Sequence, residues 1–246
     1  MELGSNLPVV APDYWGHATS TIDWCEENYV VCKYIAEFWN TVTNLAFFSL
    51  AIFGMWKVRS TRQENRFLLC YMGMLIVGLG SADVKAGTDV YVSLALFAYS
   101  TIVTLVYLHI RKPVFHQVAY GIEIFVVLVR STMHQIEIRK TNLRAYAEMQ
   151  QLFGLGVAAF GVAFALWNID NIFCSNLRAI RNALPMVLAP FFQLHAYWHI
   201  GTAIGCYASI VYQQYLRLVM LGTMDNYRLR KAAFIVPYID RVRKDE

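Results

Sequence analysis

Gln193-Leu194-His195-Ala196-Tyr197-Trp198-His199 decides how this chain is read, because it opens an apolar run that continues from Ile200 to Tyr215. His195 and His199 stand four residues apart, so on a helix they share one face, one turn above the other. Two imidazoles at that spacing suit one divalent metal, and zinc is the usual occupant. Ionisable side chains are costly at membrane depth and tend to mark function. Two histidines resting at a lipid interface are the alternative. The spacing by itself leaves both readings open.

The rest of the chain makes the membrane setting general. Of the 246 residues, 57% are hydrophobic and 15% are charged, with a mean hydropathy of +0.40. A soluble domain carries about 25% charge, so the composition predicts an all-α, polytopic membrane helix bundle. Apolar runs fall at about 35–56, 67–82, 90–110, 113–129, 152–167 and 190–216, which makes about six membrane segments. Three regions result: a lumenal lead over 1–34, a bundle over 35–216 and a basic cytosolic tail over 217–246. The net charge of +4 is modest and sits in loops and tail, which speaks of topology and not of nucleic acid. Five cysteines in a chain of this length make no disulfide scaffold. The first residues lack the basic start and apolar block of a cleavable signal, so the first membrane helix is expected to direct insertion.

Upstream of the first helix, Asp23, Glu26, Glu27 and Asn28 crowd oxygen donors into about two turns, and Glu37 follows at the helix start. Hard oxygen donors suit calcium better than zinc. A capped helix start with solvated acids accounts for the same residues equally well. The stretch is not an EF-hand, since the Asp/Asn alternation, central glycine and terminal glutamate are missing. Glu37, Asn40, Thr41 and Asn44 then form one polar stripe, which should face the bundle and not lipid. Hydrogen bonding between helices explains the asparagines without catalysis.

The charges do not agree with six crossings. Lys57, Arg59, Arg62 and Arg66 place the first loop in the cytosol and the amino terminus in the lumen. Six crossings would then return Arg217, Arg228, Arg230, Lys231, Arg241, Arg243 and Lys244 to the lumen. The loop expected over Arg130–Arg144, with Arg139 and Lys140, would be lumenal too. Cys25 and Cys174 would lie on opposite sides. One further crossing between Ala82 and Val90 repairs all three conflicts, so a helix is predicted to be missing there.

Four motifs in order now resemble a known family: Asp23-Trp24-Cys25-Glu26; Glu37-Phe38-Trp39-Asn40-Thr41 with Asn44; Trp167-Asn168-Ile169-Asp170 with Phe173-Cys174; and the His195/His199 pair. Together they resemble the alkaline ceramidases, over a span from Tyr14 to about Tyr215. The resemblance implies seven membrane helices enclosing a zinc ion (Zn2+) and hydrolysis of the ceramide amide to sphingosine and a fatty acid. It implies three zinc histidines, two of them matching His195 and His199, and a catalytic serine matching Ser81, which polarises the carbonyl or orients water. Zinc would lower the pKa of a bound water toward ~7 and polarise the amide carbonyl. Asp23, Trp24 through its carbonyl, Glu26, Asn28 and Glu37 match the family's calcium (Ca2+) ligands. Cys25 and Cys174 match a lumenal disulfide.

One departure stands out. The family carries its third histidine four residues beyond the serine, whereas here that position is Lys85. An acidic segment and a full membrane helix are also absent after Ala82, about thirty residues in all. His17, His109, His116 and His134 have no motif reason to replace the ligand. A neutral lysine is unfavourable, since its proton is held to about pH 10.4. Two function classes follow: zinc-dependent ceramide hydrolysis, and a catalytically inactive membrane isoform that binds lipid or a partner. Arg243-Lys244-Asp245-Glu246 resembles a cytosolic dibasic retrieval signal, which predicts the endoplasmic reticulum or Golgi membrane.

Overall fold

The helices begin where the acidic lead ends. The computed structural model describes residues 24–79, 101–103, 105–106, 109, 113–233 and 235–242. Helix α1 spans Phe38–Thr43 and α2 spans Leu45–Ser60, with Asn44 between them donating from its side-chain amide to the Asn40 carbonyl at 2.8 Å. Helix α3 covers Arg66–Leu79, α4 Pro113–Thr141, α5 Leu143–Ile172, α6 Cys174–Ala183 and α7 Leu194–Met220. Two strands, β1 Tyr227–Ala232 and β2 Val236–Arg241, close the described chain. The all-α expectation holds for the bundle, and the hairpin is an addition to it.

Helix boundaries follow local chemistry. Helix α4 opens on Pro113, whose missing N–H costs nothing in a first turn. It then runs well past the expected apolar end at Val129. The loop expected over Arg130–Arg144 is helical except at Asn142. Glutamine, glutamate, arginine and lysine are good helix formers, and no glycine or proline stops them. Asn142 turns the chain because its side-chain oxygen accepts from the Ala145 N–H at 2.9 Å and so caps α5. The expected 152–167 segment grows to the whole of α5 for the same reason. Before α7, a 3-10 turn over Ala189–Phe192 carries Pro190, and α7 starts directly after Gln193.

Helix α7 is the axis of the fold. It packs along α5 and also touches α1, α2, α3 and the hairpin. Glycine makes the α5–α7 approach possible. A Cβ on Gly201 would sit 2.7 Å from the Ala163 methyl and 3.0 Å from the Ala159 carbonyl oxygen. The core around α7 holds Tyr71, Met149, Leu152, Tyr207, Val211 and Tyr215, all nearly or fully buried. Within it the Tyr71 hydroxyl donates to Gln214 at 3.1 Å.

The outside is apolar. Ile122, Phe125 and Val126 on α4 and Val162 and Phe164 on α5 are more than half exposed. Such a belt suits lipid and not water. The α1–α2 stretch Phe38–Ser60 and helix α5 are long and apolar enough to cross a membrane. The architecture is that of a helical membrane protein.

At one end of the bundle the tail folds back. Leu229 pairs with Ile239 across the hairpin, and Ile239 is 2% exposed. The Tyr207 hydroxyl donates to the Pro237 carbonyl at 2.8 Å, and Lys57 lies 3.9 Å above the Tyr238 ring. Asp23, Ser81, Lys85 and the junction after Ala82 lie outside the described residues, as does most of 90–110.

Candidate functional site

The first two turns of α7 carry both histidines inward. Their ring centroids are 4.9 Å apart and nearly perpendicular. His199 Nδ1 lies 2.8 Å from the Asn40 carbonyl oxygen and 3.3 Å from the Thr43 hydroxyl. A carbonyl only accepts, so Nδ1 carries the proton and Nε2 is left with its lone pair. This is how a metal-binding imidazole is usually held. His195 is 4% exposed, and its buried Nδ1 has no hydrogen-bond partner. Trp24 covers it, with the ring centroids 4.3 Å apart.

The structure thus brings the histidine pair, the α1 stripe and the lead together. Among the described residues no group of three His, Cys, Asp or Glu side chains is placed to hold a metal. Catalytic zinc usually takes three protein ligands. The orphan Nδ1 of His195 and the free Nε2 of His199 fit two positions, so the described residues fall one ligand short of a complete zinc centre.

The oxygen-rich lead is arranged around the α1 start. Glu26, 3% exposed, accepts from the Trp39 and Asn40 N–H groups at 2.7 and 2.9 Å. It caps α1 from outside the helix, because Glu37 at the N-cap position makes no such bond itself. Glu37 instead accepts from the Asn40 side-chain amide at 2.8 Å, and Asn40 Oδ1 is buried without a partner. Burial pushes the Glu26 carboxyl above its usual range, and the Glu37 charge adds to this, against the pull of the two backbone bonds. Oxygen-only donors with one orphan carbonyl fit the chemistry of a hard cation. Asn28 is exposed, and the Trp24 carbonyl accepts from Arg178 at 3.4 Å, so neither closes a cage here.

Cys25 and Cys174 are joined by a disulfide, with their Cα atoms 5.4 Å apart. Cys32 and Cys206 are half-buried free thiols and Cys70 is an exposed one.

Two residues without a role in the sequence reading organise this end. Arg181, 5% exposed, donates to the Cys25 carbonyl at 2.7 Å, the Phe192 carbonyl at 3.1 Å and the Glu27 carboxylate at 3.0 Å. One guanidinium thereby ties the lead to the turn that launches α7. Asp170, 1% exposed, faces the backbone N–H groups of Leu194 and His195 without closing a hydrogen bond. A carboxylate there complements the positive end of α7. Asp170 belongs to the Trp167–Asp170 motif without an assigned role there, and an arginine in a polar helix that also carries Arg178 gives no distinguishing sequence signal.

Comparison with known proteins matches this arrangement to a family. The family model described as Ceramidase matches residues 16–84 and 82–240, two stretches that meet where the charges predict a missing helix. Alkaline ceramidase 3 of Mus musculus is 36% identical, covering 85% of this chain and 88% of its own. That alignment runs over 241 positions but uses only 85% of these 246 residues, so about thirty positions are filled in the relative alone. An alkaline ceramidase of Saccharomyces cerevisiae is 28% identical over 88% of this chain and 83% of its own. Another from Arabidopsis thaliana is 24% identical over 92% and 94%. The histidine pair, the capped acidic lead and the disulfide therefore sit in a chain that belongs to the ceramidase family.

Proposed function

We propose that this chain derives from a ceramide-hydrolysing membrane amidase and keeps its substrate class, while the break after Ala82 limits its turnover. The reaction adds water across the amide of ceramide and releases sphingosine and a fatty acid. The observation that carries this reading is the His195/His199 pair, with His199 Nδ1 fixed by the Asn40 carbonyl and His195 shielded by Trp24. In this reading Trp24 keeps bulk water off the pair, and Asp170 and Arg181 hold the start of α7 in place. Ser81 is assigned to the substrate carbonyl and belongs to the part of the chain outside the described residues. The acidic cluster of Asp23, Trp24, Glu26, Asn28 and Glu37 is assigned to calcium, on the grounds of its oxygen-only donors and the orphan Asn40 Oδ1.

The orientation follows from charge and redox chemistry. A disulfide between Cys25 and Cys174 needs an oxidising compartment, which supports a lumenal amino terminus. Lys57, Arg217 and the Asn142 turn gather at the opposite end, through Lys57–Asp240, Arg217–Glu64 and Asn142–Met224 contacts. That end is assigned to the cytosol, in the endoplasmic reticulum or Golgi membrane. A second reading, an inactive isoform that binds lipid or a partner, is favoured by the lack of a third ligand among the described residues and by the thirty or so positions filled in the relative alone.

Zinc content and hydrolysis measured together separate the two. The unmodified chain is expected to hold well under one zinc per chain and to release little sphingosine, and His195→Ala should change little. Inserting a relative's missing helix after Ala82 should restore both, and His195→Ala in that repaired chain should abolish both. One zinc per chain with ready hydrolysis in the unmodified protein would overturn the assignment of the break as limiting. No ceramide binding or hydrolysis in either chain would overturn the substrate class.

A further inference from the structure

At the far end of the bundle, α4 and α5 splay apart on either side of the Asn142 turn and leave a groove of about 490 Å³. Arg139 and Lys140 stand at its mouth, in the last turn of α4, and Tyr146 faces them from α5. Arg139 is held there by the Tyr146 ring, 5.6 Å from its guanidinium carbon. Below the mouth the walls are mixed, with the amides of Gln135 and Gln150 between Ile136 and Phe153. The groove does not belong to the histidine site. Tyr146 and Asp170 lie on one helix, roughly 36 Å apart at about 1.5 Å per residue.

The cations of this mouth are uncommitted. Glu148 pairs with Arg144 at 3.4 Å, and the exposed Glu137 lies 4.0 Å from His134 Nδ1. Among the described residues neither Arg139 nor Lys140 has a carboxylate partner. Two unpaired cations at the polar end of long apolar helices attract negative charge at the level of lipid headgroups. The outer flanks are lipid-facing: Met133, Ile136 and Leu143 are about half exposed or more.

We propose that this groove binds one anionic glycerophospholipid. Its phosphate would rest on Arg139 and Lys140, its ester carbonyls would accept from the exposed Gln150 amide, and an acyl chain would lie along Ile136 and Phe153. A neutral ceramide has no group for the two cations, so this ligand is distinct from the proposed substrate. A free phosphate shares the headgroup chemistry but has no use for the apolar walls, and this argues for lipid. The assignment to the cytosolic leaflet rests on the orientation proposed above. Binding itself does not, and micelles have no sides, so the two can fail separately.

The test uses the full chain in neutral detergent, with phosphatidylserine or phosphatidylcholine added and retention followed by native mass spectrometry. One phosphatidylserine is expected to remain under activation that strips phosphatidylcholine. Arg139→Gln with Lys140→Gln should weaken retention on the order of tenfold, whereas Arg139→Lys with Lys140→Arg should keep it. Arg230→Gln with Lys231→Gln, on the hairpin, should leave it unchanged. The melting temperature of each variant shows that it is folded. Equal retention of phosphatidylcholine, or undiminished phosphatidylserine on the folded neutral variant, would overturn the site. Displacement of phosphatidylserine by inorganic phosphate would overturn the lipid assignment.

Discussion

At the scale of single residues, charge buried at the histidine end of the bundle decides most of what can be measured. Glu26 caps α1 at the cost of burying a carboxylate, so its folded-state pKa lies above the ordinary 4.5. The folded state therefore holds the proton more tightly than the unfolded one. Its contribution is most favourable below pH 4.5 and is lost as pH rises through the raised value. Scanned from about pH 4 to about pH 8 without calcium, the melting temperature of the parent should fall relative to that of Glu26→Gln. Calcium favours the carboxylate and should reverse that trend, raising the melting temperature most at neutral pH. A parent-minus-variant difference that is flat with pH would remove Glu26 from the account. Arg181 is the second such residue. Arg181→Met leaves Glu27 and the Cys25 and Phe192 carbonyls without their donor, and should cost about 3 kcal/mol by denaturant titration. Glu27 is partly exposed, so the loss belongs at the lower end of the range for broken buried pairs. A loss no larger than that of a surface arginine would mean the tie is incidental.

At the scale of elements, the contact of α5 with α7 sets how the histidines are presented. Gly201 lies six residues beyond His195 and two beyond His199, where α7 crosses Ala159 and Ala163. Gly201→Ala would press a methyl onto the Ala163 Cβ and the Ala159 carbonyl, neither of which can swing aside, and should destabilise by about 1–3 kcal/mol. Gly205→Ala would meet the Phe160 ring first. A half-buried side chain can turn away, so the loss there should be smaller. Equal losses at the two glycines would show that the helices separate readily, and that the close approach does not fix the site. The other informative element is the α4–α5 pair. Along the sequence its polar ends resemble a loop, because runs of charge commonly mark solvent-exposed coil. Helix propensity and the Asn142 cap instead carry both helices beyond the apolar region. That extension creates the groove between them.

At the scale of the whole molecule, the hairpin closes one end of the bundle and the disulfide-tied lead closes the other. Ile239 is the hairpin residue most deeply seated in the core. Ile239→Ala should therefore cost about 2–5 kcal/mol, measured as a shift in the unfolding midpoint, whereas the exposed Ile235→Ala should cost little. If both are neutral, the tail does not contribute to the fold. Composition pointed to a membrane protein and the length of the apolar runs to helices, because a helix needs about 20 apolar residues to span and a strand about ten. The i, i+4 histidines were legible because helix geometry alone puts them on one face. The break after Ala82 was legible from charge alternation, since every crossing switches the side of the membrane, and the family match divides at the same place. Other features were beyond any reading along the chain, because they join residues far apart in it. Tertiary structure alone decided that Asn40 holds His199, that Trp24 covers His195, and that Arg181 binds a carbonyl 156 positions upstream. It also decided that the tail is a hairpin. The alternation of β1 and β2 is too short to be told from coil until Tyr207 and the core supply a surface for Pro237 and Ile239 to pack on.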